Sequence, residues 1–167
     1  MKRVFFLVLF CCILWHLTAC SNVASPTEPV DVFDITMPCV QVSDGDVVKE
    51  QKLGIRIIAT QREKNTDDAI PKFDCTIQLT DGDSVIIDDR GSLLGVGDPN
   101  DTSAPYWITG YVFCIKDATF DQCNLWVSAD LNAFVMQLSN SKALYVGSTD
   151  SNFDPESTMK QFENAMK

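Results

Sequence analysis

The chain has 167 residues, of which 46% are hydrophobic and 22% are charged, and its formal net charge is −10. This length suits one domain built around a single core. The composition excludes a collagen-like or low-complexity polymer, a membrane protein with several spans, and a basic DNA-binding domain, whose affinity would depend on Lys and Arg.

The first twenty residues have the layout of an export signal. Lys2 and Arg3 precede an apolar run over residues 4–15, and Ala19 stands just before Cys20. A membrane-spanning helix needs about 20 apolar residues. The shorter run therefore predicts a signal peptide, residues 1–19, that is cleaved.

Residues 17–20 read Leu-Thr-Ala-Cys and resemble the lipobox of bacterial lipoproteins, in which an apolar and a small residue lead to Ala or Gly and an obligatory Cys. The resemblance implies lipidation of the Cys20 thiol and cleavage after Ala19. Ser21 follows, where an Asp would resemble an inner-membrane retention signal, so the resemblance implies anchoring in the outer membrane with the domain facing the periplasm. The alternatives are an ordinary secretory signal with an incidental Cys20 and an uncleaved anchor.

Cleavage changes the charge and removes one residue type. The loss of Lys2 and Arg3 leaves 11 basic against 23 acidic residues, a net charge of −12. We therefore expect a lipid-anchored domain that binds no nucleic acid and for which a basic envelope protein is a candidate partner. The loss of His16, the only histidine, excludes His-based catalysis and His-ligated metal sites. We expect no enzyme activity, no cofactor and no metal.

Four cysteines remain beyond the lipobox: Cys39, Cys75, Cys114 and Cys123. An even number in an exported domain predicts disulfides. Of three possible pairings we favour Cys39 with Cys75 and Cys114 with Cys123, because each joins neighbours in sequence. A four-thiolate metal site is the alternative, and the absence of a Cys-x-x-Cys pair disfavours it.

Residues 20–31 are rich in Ser, Thr, Pro and acid and predict a flexible tether, which leaves a single globular domain over residues 32–167. Alternating apolar and polar residues at 53–59 and 73–79 predict strands with one buried face. Asp44-Gly45 and Asp81-Gly82 predict hairpin turns. Residues 106–115 are apolar on both faces and predict a central strand, followed by a strand with Cys123, Leu125 and Val127 on one face.

In the last forty residues, the spacing of apolar residues changes from the alternation typical of strands to the spacing typical of helices. Leu131, Phe134, Val135 and Leu138 have helical spacing behind Asp130 and predict a short helix. Residues 143–147 predict a strand. Residues 154–156 read Asp-Pro-Glu, typical of a helix start, in a helix that would turn Met159, Phe162 and Met166 toward the core. The predicted fold class is mainly β or α+β, an antiparallel sheet or small sandwich with two short helices near the C-terminus and with disulfides.

This C-terminal pattern is similar to that of the invasion-associated locus B family of exported bacterial proteins. Cys114, Cys123, the apolar stripe of residues 131–138 and Phe162 carry the similarity, while Gln122 stands where that family often has Gly. The similarity implies an envelope protein without established catalysis.

Acidic pairs are candidates for chemistry: Asp81 with Asp83, Asp88 with Asp89, and Asp98 with Asp101. Two carboxylates about 5–10 Å apart across a cleft would serve a glycosidase. Most of these residues flank Gly or Pro, where Asp is favoured for turns. Asp98, Asn100 and Asp101 also offer oxygens for an irregular calcium site, without the Gly and Glu of an EF-hand loop.

Two further motifs complete the candidates. Residues 139–142 satisfy Ser-x-x-Lys, the acylation motif of penicillin-binding enzymes, but Ser139 ends the predicted helix instead of opening it, and no Lys-Thr-Gly accompanies it. Tyr106, Trp107 and Tyr111 are candidates for a ligand-stacking platform on a sheet face, although aromatic residues in a central strand are more often core.

These features predict a non-catalytic envelope lipoprotein that acts by binding, as an accessory of an envelope assembly or as an inhibitor or immunity protein against a basic toxin or hydrolase. The alternatives are a carboxylate-dependent hydrolase of cell-wall glycans and a calcium-dependent surface adhesin.

Overall fold

The computed structural model describes residues 31–43, 46–48, 53–61, 72–89, 93–98 and 103–166. The predicted signal peptide, Cys20 and most of the predicted tether lie outside these ranges. Ten strands and one helix lie within them. They are β1 (Asp31–Ser43), β2 (Asp46–Val47), β3 (Leu53–Gln61), β4 (Lys72–Asp81), β5 (Ser84–Asp88), β6 (Leu93–Val96), β7 (Tyr106–Cys114), β8 (Thr119–Val127), β9 (Ala133–Leu138), β10 (Leu144–Ser148) and α1 (Pro155–Phe162).

The strands form one antiparallel sheet that closes on itself. Its order is β1, β3, β4, the short pair β5 and β6, β7, β8, β9 and β10. β10 then pairs with β1, with Cys39 opposite Gly147. Because β5 and β6 each pair with both β4 and β7, they share one position, and the result is an eight-stranded barrel. The mainly β prediction is confirmed, as a barrel and not as a sandwich.

Inward side chains fill the barrel with a packed core. The alternation predicted for β3 and β4 is confirmed, since Ile55, Ile57, Ile77 and Leu79 are at most 1% exposed while Arg56 between them is exposed. Burial of each such aliphatic side chain contributes about 1.5–3 kcal/mol. The barrel interior is therefore the source of stability, and a binding site has to be sought on its outside.

The two predicted hairpin turns have different outcomes. Gly82 has φ of +56°, a left-handed conformation that Gly adopts at little cost, and it joins β4 to β5 as predicted. The predicted turn at residues 44–45 lies outside the described residues.

Helix α1 covers the outer face of β8, β9 and β10. Asp154 caps it by accepting a hydrogen bond from the Ser157 backbone N–H at 3.1 Å. Phe162, 1% exposed, packs with Trp126 and Val135. This helix was predicted, and only the inward placement of Met166 is wrong, because Met166 lies beyond the helix and is 36% exposed. Within the described ranges, no helix combines the length and hydropathy that crossing a bilayer requires.

The helix predicted over residues 131–138 is wrong. Leu131 lies in a turn with φ of +60°, and Ala133–Leu138 form β9. Residues 133–136 of β9 are buried on both faces, with Phe134 and Met136 inside the barrel and Val135 under α1, and Gln137 is the one exposed residue of the strand. A strand buried on both faces has no apolar alternation, so its composition fitted a helical period by coincidence.

The predicted disulfide framework is also wrong, since all four cysteines are free thiols in the structure. Cys39 lies opposite Leu53, whereas Cys75 lies opposite Ala59, six residues further along β3 and thus about 20 Å away along the strand. Cys123 lies opposite Gly110, four residues or about 13 Å from Cys114. A disulfide needs Cα atoms within about 7 Å. Neighbours in sequence are therefore not neighbours in the barrel.

Candidate ligand-binding site

The outer surface of β7 and β8 carries four directly paired rungs of side chains. Inward residues of the two strands, such as Ile108 and Leu125, belong to the barrel core, so the residues between them point outward. The outward pairs are Trp107 with Trp126, Thr109 with Asn124, Tyr111 with Gln122, and Phe113 with Phe120. We call these eight residues the β7–β8 face.

Three aromatic side chains of the β7–β8 face are open to solvent. Trp107 is 43% exposed, Phe120 53% and Tyr111 55%. Phe120 makes an edge contact with Phe113, with ring centroids 5.1 Å apart. Clustered exposed apolar side chains of this size mark interaction surfaces, because their exposure to water is otherwise unfavourable.

A groove of about 480 Å³ opens at the tryptophan end of the β7–β8 face. Its lining combines indole rings, carboxamides and the end of the chain beyond α1. The lining residues are Pro105, Trp107, Asn124, Trp126, Gln137, Ala165 and Met166. An apolar surface with a few placed polar groups is the usual composition of a small-molecule site.

A hydrogen bond orients the polar group at the centre of the face. The Thr109 hydroxyl donates to Asn124 Oδ1 at 3.0 Å. This bond uses Oδ1 of Asn124 as acceptor and restrains the orientation of its amide group. The exposed carboxamides of Gln122 and Gln137 lie on either side of Asn124, on its own strand and opposite it on β9.

The strands of this part of the barrel wall carry almost no charge, although Asp88 on β5 lies beside Phe113 and the exposed β7–β8 turn contains Lys116 and Asp117. The four strands β6 to β9 contain one charged residue, Asp121, although 22% of the whole chain is charged. Asp121 is 2% exposed and accepts hydrogen bonds from the backbone N–H groups of Asn140, at 2.7 Å, and Ser141, at 2.9 Å. Burial raises the pKa of Asp121, but these hydrogen bonds outweigh burial and lower the pKa below its ordinary value. The carboxylate therefore holds the β9–β10 turn and leaves the β7–β8 face uncharged.

The three aromatic residues predicted as a stacking platform are divided between the two sides of the barrel wall. Tyr106 points inward and contacts Phe33 and Phe73, with ring centroids 5.1 and 5.8 Å away. Trp107 and Tyr111 point outward and are exposed. The core interpretation therefore holds for Tyr106 and the surface interpretation for Trp107 and Tyr111.

Of the acidic candidates in the described residues, Asp88 borders this face, because it pairs with Phe113 on β7. Asp81 and Asp83 lie at the β4–β5 hairpin, and Asp88 ends β5, where its carboxylate accepts a hydrogen bond from the Asp89 backbone N–H at 2.9 Å. Burial, followed by repulsion from Asp88, raises the pKa of Asp89.

The calcium candidates are described only in part. Asp98 is exposed, while Asn100 and Asp101 lie outside the described residues. In the part of the chain that the structure describes, no three acidic, Cys or His side chains gather as a metal site requires. Residues 139–142 form the exposed turn between β9 and β10, away from a helix start.

Sequence reasoning missed Trp126, Asn124 and Gln122. The alternation of β8 indicates that these three side chains point outward. Their position beside the aromatic residues of β7 follows only from the strand register, which pairs Trp107 with Trp126. Comparison of the chain with protein-family models, curated proteins and solved structures finds no match. The function is therefore inferred from the geometry of the face.

Proposed function

We propose that this protein is an envelope lipoprotein anchored through Cys20, whose barrel binds a ligand without catalysis on the β7–β8 face. The anchor rests on the basic start, the apolar run and the Leu-Thr-Ala-Cys motif at residues 17–20. Ser21 supports an outer-membrane position with the domain facing the periplasm. Several acyl chains would hold the protein to the membrane while the barrel stays free to bind.

The observation that carries this proposal is the exposure of Trp107 and Tyr111 on a rigid sheet. The two side chains lie two rungs apart on β7, and each lies beside a directly paired side chain on β8. A site built on paired strands keeps its geometry when a ligand arrives, so little conformational entropy is lost on binding.

The charge distribution refines the partner class. A basic partner would require a cluster of exposed carboxylates, and exposed carboxylates lie elsewhere on the barrel, for example Asp81 and Asp83 at the β4–β5 hairpin. Binding at an uncharged face responds little to salt, whereas binding between opposite charges weakens as salt screens them. We propose the same two roles for the domain as before, an accessory of an envelope assembly or an inhibitor. In either role the domain would bind through the β7–β8 face.

Affinity capture tests the proposal. The full-length chain, purified in detergent and immobilised, is incubated with solubilised bacterial envelope at about 0.1 M and about 1 M salt, where the Debye length falls from about 10 to about 3 Å. The control variant is Thr36→Ala, an exposed residue of β1, four positions around the barrel from β7. We expect wild type and control to retain the same component at both salt concentrations and the double variant Trp107→Ala/Tyr111→Ala to lose it. Equal retention by the double variant would overturn the site, and loss of the component at high salt would favour a basic partner.

A further inference from the structure

Aromatic and hydrogen-bonding side chains occupy successive rungs of the β7–β8 face. Aromatic pairs stand at both ends, Trp107 with Trp126 and Phe113 with Phe120, and hydrogen-bonding groups stand between them. Six residues separate Trp107 from Phe113, which corresponds to about 20 Å along the strand. The face therefore suits an elongated ligand that offers flat apolar surfaces and hydrogen-bonding groups in alternation.

We propose that this ligand is an uncharged polysaccharide chain laid along β7 and β8, an inference that rests on the proposed binding function. A sugar ring has one face of C–H groups, which stacks on an aromatic ring, and a rim of hydroxyl groups that both donate and accept hydrogen bonds. Trp107 and Tyr111 supply exposed aromatic surfaces. The carboxamides of Asn124 and Gln122 supply donors and acceptors without charge.

The lack of charge selects the class of saccharide. The outward residues of β6 to β9 include no Lys, Arg, Asp or Glu, although the chain carries 13 basic and 23 acidic residues, and the carboxylate that borders the face, Asp88 beside Phe113, would repel an anionic sugar. A uronic acid or a sulfated sugar would leave its charge unpaired on this face, and a partly desolvated unpaired charge is unfavourable. Hydroxyl and N-acetyl groups meet the amides of Asn124 and Gln137 without that cost.

Other elongated ligands fit less well. A peptide strand binds to a free sheet edge, but β7 is paired with β5, β6 and β8, and β8 is paired with β9. A nucleic acid needs Lys or Arg for its phosphates. A bilayer surface is flat and apolar below its headgroups, whereas the tryptophan end of the face is a groove of about 480 Å³ lined partly by carboxamides.

The test is binding of the full-length protein in detergent to an array of uncharged oligosaccharides of hexoses and N-acetylhexosamines, with uronic-acid and sulfated oligosaccharides as charged probes. Dissociation constants for the neutral probes that bind are then measured by calorimetry. Loss of one contact worth about 1.4 kcal/mol weakens binding about tenfold. We expect neutral probes to bind, Trp107→Ala and Tyr111→Ala each to weaken binding about tenfold, and Thr36→Ala to leave it unchanged. Circular dichroism of each variant separates loss of the site from loss of the fold.

Three outcomes would overturn the polysaccharide: no neutral probe binds, charged probes bind more tightly, or vesicles of neutral phospholipid bind in a Trp107-dependent way. If the capture experiment still shows a component that requires Trp107 and Tyr111, the binding function survives and only its ligand class is wrong. If capture is independent of both residues, the proposed function itself fails.

Discussion

Trp107 and Trp126 occupy the same rung of the β7–β8 ladder, yet Trp107 is 43% exposed and Trp126 only 8%. The difference arises from α1, because Phe162 packs against Trp126 and the helix does not extend over Trp107. One indole therefore belongs to the packed support of the site, and the other is its exposed surface.

The difference in exposure between Trp107 and Trp126 predicts how strongly acrylamide quenches the fluorescence of each. Acrylamide is a small neutral molecule that quenches exposed indole rings more than buried ones. We expect Trp107→Phe to lower the Stern–Volmer constant and Trp126→Phe to raise it, since the first removes the more accessible and the second the more protected of these two emitters, while Trp15 is common to both variants. The two variants serve as controls for each other. Equal constants would show that the two indoles are equally exposed and would contradict the geometry of the face.

Replacement of Asp121 tests how the turn beside the site is held. Asp121→Asn keeps the volume but weakens two charge-assisted hydrogen bonds from Asn140 and Ser141, so we expect the free energy of unfolding to fall by about 1.5–3 kcal/mol at pH 7. Urea denaturation measures this. Asp83→Asn in the exposed hairpin is the matched control, and its effect should stay within about 0.5 kcal/mol.

The same carboxylate predicts a pH dependence. Its pKa is lowered in the folded protein, so the unfolded chain binds a proton first as pH falls. The stability that Asp121 contributes is therefore full above about pH 4, near the ordinary pKa of Asp, and is lost as pH falls through the lowered pKa. The wild type should lose stability more steeply than Asp121→Asn below about pH 4. Parallel curves would show that this carboxylate does not titrate with folding.

Phe134 and the Pro38 carbonyl oxygen lie too close to Gly147 for a larger residue to fit without strain. A Cβ there would lie 2.2 Å from Phe134 Cε1 and 2.5 Å from the carbonyl oxygen of Pro38. The backbone oxygen cannot turn aside, so Gly147→Ala should cost about 1–3 kcal/mol. Gly54→Ala is the control, because its Cβ would lie 3.3 Å from the Thr80 hydroxyl and 3.9 Å from the Met37 carbonyl oxygen, without a clash. Thermal denaturation should therefore show a clear loss for Gly147→Ala and a smaller change for Gly54→Ala.

Thiol chemistry distinguishes the barrel from a disulfide framework. Burial raises the pKa of Cys39, Cys75 and Cys123 to about 12, and burial with nearby carboxylates raises that of the half-buried Cys114. The thiolate is the reactive form. We expect iodoacetamide at pH 8 to label Cys114 first in the native protein, and all four after unfolding without reductant. Peptide mass spectrometry identifies each labelled cysteine, and a disulfide between Cys39 and Cys75 or between Cys114 and Cys123 would contradict the strand register.

The sequence predicts those parts of the fold in which one face of a strand meets the core and the other meets water. Arg56 between Ile55 and Ile57 makes β3 recognisable for this reason. The strand β9 lacks that contrast because α1 covers its outer face, so residues 131–138 were assigned to a helix. Closure of the barrel depends on contacts between β1 and β10, about a hundred residues apart, and no local pattern encodes them.

The sequence predicts the β7 residues of the candidate site but not the β8 residues. Trp107 and Tyr111 were recognised as aromatic residues of one strand, but their value depends on Asn124 and Trp126, which the β7–β8 register places beside them. The disulfide prediction failed for the same reason, since proximity along the chain did not correspond to proximity across strands. The lipid anchor and the invasion-associated locus B resemblance stay predictions, although the apolar stripe of that resemblance forms a turn at Leu131 and a strand over Ala133–Leu138 and not a helix.

The most direct test of the binding face is photo-crosslinking in living bacteria. p-Benzoyl-phenylalanine is incorporated into the full-length protein in place of Tyr111, and in a second strain in place of Thr36 on the opposite side of the barrel. Irradiation should give an adduct of higher mass from position 111 and none from position 36. Adducts from position 36 alone, or none from position 111 in a folded and exported protein, would contradict a ligand-binding β7–β8 face.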